Sequence, residues 1–173
     1  GQADLLVAKL LATSGRVTPE AQTTLSSAAR RNVAAYADAL SKALQTATDA
    51  QKPVILETAA RLGGDTLLKA VEAATASANP ETATAAVRAL ASWTDNASIP
   101  ALLRLAATTP NAKHQTLALR GLAKKLEADG TDKKAAFACW QNIQKSPVEE
   151  ARKKAINDLF KNEVNTALGK QVT

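Results

Sequence analysis

Two short runs spaced 32 positions apart constrain this chain more than any other feature: Val87-Arg88-Ala89-Leu90 and Leu119-Arg120-Gly121-Leu122. Each is an aliphatic residue, an arginine, a small residue and a leucine. Around both, apolar residues return at three- and four-residue intervals, the spacing that lines one face of an α-helix. A recurrence of about thirty residues is the length of one helix–turn–helix unit. Setting one helix of each pair in register makes Leu25, Leu56, Val87, Leu119 and Ile156 equivalent, at intervals of 31, 31, 32 and 37. The last interval absorbs Asp129-Gly130. A helix pair is too thin to bury its apolar face alone, so neighbouring pairs must stack into one continuous core. The expected fold is all-α: an α-solenoid of stacked antiparallel helix pairs, about ten helices in two layers, forming a single domain over residues 1–173.

Composition agrees with helices and with nothing else. Ala and Leu, the strongest helix formers, dominate a hydrophobic share of 46%, while aromatics make up only 3%. No stretch alternates with period two for the length of a strand, and none is apolar for the roughly 18 residues that a membrane-spanning helix needs. The single cysteine, Cys139, excludes an intrachain disulfide and a cysteine-rich zinc site, and its apolar neighbours mark it as a small core residue. The chain opens on Gly1 and holds no Met, so it is expected to be part of a larger protein. Its net charge of +6 is uneven: residues 111–173 hold twelve Lys/Arg against seven acids, the rest ten against nine.

Start and stop chemistry divides the chain. A first helix, Asp4–Thr13, is expected to turn Leu5, Ala8 and Leu11 inward. Thr18-Pro19-Glu20 opens a second with Leu25, Ala28 and Ala29, and Val33–Thr46 is a third carrying Val33, Tyr36, Leu40 and Leu44. Asp49–Leu62 stops at Gly63-Gly64, and Asp65 is expected to cap the next helix, with Leu67, Leu68, Val71 and Ala74 inward. Asn79-Pro80-Glu81 starts a helix to Trp93, Ile99-Pro100 another, and Pro110-Asn111 a third over Ala112–Glu127. Asp132–Gln144, Ser146-Pro147–Lys161 and a short Asn165–Val172 complete the series.

The pattern resembles the HEAT-repeat superfamily. Asp95 followed by Ile99-Pro100-Ala101-Leu102-Leu103 looks like the proline-kinked first helix of such a unit, and Ala86–Leu90 and Ala118–Leu122 look like second helices. The run AVRALASWTD with the later LALRGL is similar to the HEAT-like segment of large secreted or envelope-associated bacterial proteins, where it often adjoins a 3-keto-disaccharide hydrolase-type domain. That closer resemblance covers roughly Leu56 to Leu159, and residues 1–50 share only the periodicity. It implies a bacterial protein in the periplasm or secreted, with the cytoplasm as the alternative. No hydrolase residues are carried over, because none of that domain's chain is present.

Chemistry-bearing clusters are sparse. His114 is the single histidine and is expected to face solvent. No G-x-S-x-G elbow, H-x-x-x-H, C-x-x-C or D-x-D-x-D-G spacing occurs. Glu149 and Glu150 suit the first turn of a helix, where acids complement the dipole. Trp93 and Trp140 are expected as core wedges. No catalytic residue, cofactor or metal is therefore expected. Arg88 and Arg120 share one repeat position and would sit roughly 10 Å apart if adjacent repeats stack. They would either tie turns together through carbonyls or Asp95, or form a row of donors that Lys113 and Lys124 extend. The expected function is a non-catalytic interaction scaffold for a protein or peptide partner, or for domain positioning. A basic nucleic-acid-binding module is the first alternative, and a HEAT-like lyase the second.

Overall fold

The computed structural model describes residues 2–12, 27 and 32–169, and among them every regular element is helical. Nine α-helices lie among the described residues: α1 Gln2–Ala12, α2 Val33–Thr46, α3 Lys52–Leu62, α4 Asp65–Ala74, α5 Pro80–Ala91, α6 Ile99–Thr108, α7 Ala112–Glu127, α8 Lys133–Ile143 and α9 Glu150–Gly169. A 3₁₀ turn, Asn96–Ser98, precedes α6. The helix expected from Thr18, with Leu25, Ala28 and Ala29, lies outside the described residues. The chain gathers into two compact units, Gly1–Asp95 and Asn96–Thr173.

Side chains that satisfy otherwise unpaired backbone donors set where helices begin. Asn79 Oδ1 accepts from Glu81 N at 2.9 Å and Thr82 N at 3.1 Å. Asn111 Oδ1 does the same for Lys113 N at 3.0 Å and His114 N at 3.2 Å. Two residues before each cap, a hydroxyl accepts from the asparagine's own N–H: Ser77 at 3.2 Å and Thr109 at 3.4 Å. The 32-residue interval of the arginine runs therefore holds atom by atom in the starts of α5 and α7. Proline supports the same job at the first turns of α3, α5 and α6, where its missing N–H costs no hydrogen bond.

Burial follows the interval at most positions. Thr82 and His114, Ala86 and Ala118, and Leu90 and Leu122 are buried pairwise, and Arg88 and Arg120 are exposed in both helices. Val87 is fully buried, but its expected equivalent Leu119 is only half-buried. The buried line of α7 runs through His114, Ala118, Leu122 and Leu126 at four-residue steps. Leu119 stands about 100° off that line and flanks the packed face.

In the first unit, α2 packs on α1, α3 and α4, while α5 packs on α3 and α4. Leu40, Leu56, Val71, Val87 and Leu90 are 0% exposed and form the centre of this unit. Trp93 is buried beside them in sequence, at 4% exposure. The expected face of α1 is corrected: Ala3 and Val7 are buried, whereas Leu5 is 72% exposed and Ala8 is exposed. Apolar residues at 5, 6, 7, 10 and 11 surround that helix, so sequence alone offers no preferred side. Asp65 is the first helical residue of α4 rather than its cap, a place taken by Gly64 at φ 94°. Gly63 also holds a positive φ of 75°. A Cβ there would lie 2.7 Å from Thr94 Cγ2, an approach fixed by the Thr94 N–H donating to Ala60 O at 3.1 Å.

In the second unit, α6 packs on α7, α8 and α9, and α7 also packs on α9. Leu102, Leu103, Ala106, Trp140 and Ile156 are 0% exposed. Trp140 is a core residue with a satisfied polar edge, since its Nε1–H donates to Asn157 Oδ1 at 2.7 Å. Gln144 Nε2 donates to the same oxygen at 3.3 Å. Phe137, 41% exposed, meets Phe160 edge-on at 5.3 Å. The final helix starts at Glu150, three residues beyond Pro147, and continues to Gly169, so no separate helix begins at Asn165.

Replacing Leu122 by Ala is expected to cost about 2–5 kcal/mol in urea unfolding, as for a fully buried leucine. Leu119→Ala should cost less than about half of that, because its side chain is already part-solvated. Equal losses for the two variants would overturn the buried line assigned to α7.

Candidate functional site

The four residues singled out by the sequence fall in different places. Arg88 is on α5 in the first unit; Lys113, Arg120 and Lys124 are on α7 in the second. All four are exposed, and none of their side chains is hydrogen-bonded or ion-paired to a described residue. Arg88 and Arg120 thus make no tie to a turn carbonyl or to Asp95 among the described residues. That job falls to Arg152, the first of three consecutive cations with Lys153 and Lys154. Arg152 Nη1 donates to Thr109 O at 2.6 Å and to Ala107 O at 3.4 Å. It thereby satisfies carbonyls that the end of α6 leaves without a helical partner. No local signal could have revealed this, because donor and acceptors are 43 and 45 residues apart.

The other cations at the start of α9 are neutralised by its own acids. Arg152 Nε bonds Glu149 at 3.0 Å, Lys153 bonds Glu150 at 2.6 Å, and Lys154 bonds Asp158 at 2.8 Å. The Lys154 bond holds the Asp158 carboxyl below its ordinary value and raises the lysine. Glu149 and Glu150 are therefore ion-pair partners as well as acids near a helix start. These pairs cancel charge at the start of α9, whereas Lys113, Arg120 and Lys124 on α7 have no such pair among the described residues.

His114 departs from expectation: it is 7% exposed, not solvent-facing. It occupies the third residue of α7, the first position on that helix's buried line. Burial first, and then the charge of adjacent Lys113, lower the imidazole below its ordinary 6.5. Cys139 is half-buried rather than buried. It lines a cleft of about 270 Å³ with Asn96, Pro100, Gly130 and Asp132. The first unit has an open cavity of about 300 Å³, floored by Ala70, Ala73 and Ala74 and edged by Ser41, Gln45 and Lys52. Among the described residues, no group of three or more His, Cys, Asp or Glu converges as metal ligands would. No helix among them is long and apolar enough to cross a membrane.

Because the folded-state imidazole titrates below 6.5, the unfolded chain takes up the proton first. Stability should be constant above neutrality and fall as pH drops below 6.5 toward the folded value. His114→Gln keeps a polar side chain at the third helical position and removes the titration. Unfolding between pH 7.5 and 5 lies above the lowered Asp49 and Asp158 carboxyls. Over that range the variant's stability should be flatter than the parent's, and an unchanged slope would exclude His114 as its source.

No family model, no curated protein and no solved structure matches this chain.

Proposed function

We propose that this protein is a non-catalytic interaction scaffold of the HEAT-repeat type, a segment whose stacked helix pairs present a preformed surface to a protein or peptide partner. The observation that carries it is the order of packing inside each unit. First helices of successive pairs meet, α2 with α4 and α6 with α8, and so do second helices, α3 with α5 and α7 with α9. Pairs that stack helix on like helix bury a strip that none could bury alone. The repeated asparagine caps and the shared burial of α5 and α7 support the same reading. A surface held by such a core binds without an ordering cost of its own, and that is the mechanism proposed for it. Placement in a bacterial envelope or secreted protein is part of this proposal, on the resemblance alone.

Repeat architecture makes stability a nearest-neighbour property. In hydrogen exchange, Leu56→Ala should speed exchange in α2 to α5 by at least about tenfold and leave α8 and α9 within about twofold. Equal acceleration in every helix would mean one cooperative globule and would remove the repeat reading. For the function itself, a partner recovered by reciprocal affinity purification should form a saturable complex when both proteins are pure. Capture that never saturates would count against a scaffold.

A further inference from the structure

We infer that the exposed stripe Lys113–Arg120–Lys124 of α7 is a docking surface for a short acidic peptide segment. The inference rests on the scaffold reading and names the chemistry of its partner. Helical geometry puts the three cations on one line. At about 100° per residue they fall within an arc of about 40°, and at about 1.5 Å per residue they span about 16 Å along the axis. All three are exposed, and none of their side chains makes a hydrogen bond or ion pair with a described residue. The contrast with α9 is chemical. There, acids three or four residues away answer Arg152, Lys153 and Lys154 at 2.6 to 3.0 Å. On α7, the positions three and four residues after Lys113 and Arg120 hold Thr116, Leu117, Ala123 and Lys124, none of them an acid. Glu127, three residues after Lys124, makes no ion pair with it. The Thr116 hydroxyl donates back to Ala112 O at 2.9 Å.

The ends of the stripe limit what can lie on it. Glu127, seven residues after Arg120, falls on the same line and is exposed, and exposed Asp129 follows it. A nucleic-acid backbone, charged at every nucleotide, would run from the cations into these carboxylates. A peptide whose acids are confined to one short run would not. A polyproline-II chain rises about 3.1 Å per residue with three residues per turn. Acids at positions i, i+3 and i+6 therefore share one face at steps of about 9 Å, within side-chain reach of cations spaced about 10 and 6 Å apart. Arg120 can grip one carboxylate with two parallel N–H bonds, and the lysines supply point charges on either side.

The test is a fluorescence-anisotropy titration of the intact chain. Its probe is a labelled, end-blocked peptide with Glu at i, i+3 and i+6, and the same residues with the three Glu adjacent serve as comparison. A duplex of about 20 base pairs is the second ligand. The triple variant K113Q/R120Q/K124Q is measured beside K145Q/K153Q/K154Q, which removes the same charge elsewhere, with circular dichroism confirming that both are folded. Saturable binding of the spaced peptide is expected, weakened at least tenfold by the α7 variant and less than about threefold by the control. Binding should also weaken as salt rises, as exposed charge pairs require. No binding at low salt, equal loss in both variants, or duplex binding that outcompetes the peptide would each overturn the assignment. A partner that binds the chain saturably and ignores the α7 variant would sink the stripe yet leave the scaffold standing.

Discussion

A helix of ten to sixteen residues is marginal on its own in water, because nucleating it costs more than a few turns of hydrogen bonds return. Almost every helix described here falls in that range, from α4 with 10 residues to α7 with 16. Each exists because one narrow strip of it is taken out of water by its neighbours. The strips are made of Ala, Leu, Val and Ile with few aromatics, so helices can approach closely and little side-chain freedom is lost. Fully buried residues such as Leu40, Leu56, Leu90, Leu102 and Leu122 come one to three per helix from α2 to α9, and none would be shielded without the helices packed against it.

Polar chemistry determines where these strips start and stop. Asn79 and Asn111 each satisfy two backbone donors, and each is itself held by a hydroxyl two residues earlier. This motif fixes the angle at which the chain enters α5 and α7, and hence which residues begin the buried line. At the other end, Gly63 leaves α3 with a positive φ and lets Thr94 come close. Arg152 and Asn157 act over longer range, one on the Ala107 and Thr109 carbonyls at the end of α6 and the other on the buried indole of Trp140. These few polar contacts give an otherwise repetitive apolar core a single arrangement.

Charge has a different role. Surface ion pairs like those of α9 contribute little to stability. Their consequence is to cancel the local field at the start of α9, whereas the side chains of Lys113, Arg120 and Lys124 on α7 pair with no acid among the described residues. Lys113 serves twice, as the first residue of that stripe and as a charge that adds to burial in lowering neighbouring His114.

Helical content, most helix boundaries, the asparagine caps and the interval between α5 and α7 were all legible in the sequence. Each is decided within three or four residues, where a side chain either reaches its backbone donor or does not. The inward face of α1, the half-burial of Leu119, the burial of His114 and the grip of Arg152 on Thr109 were decided only by tertiary structure. Which side of a helix is dry depends on where its partners lie, and those partners stand tens of residues away. Leu5, Leu6 and Val7 are equally apolar, so only the position of α2 could choose among them.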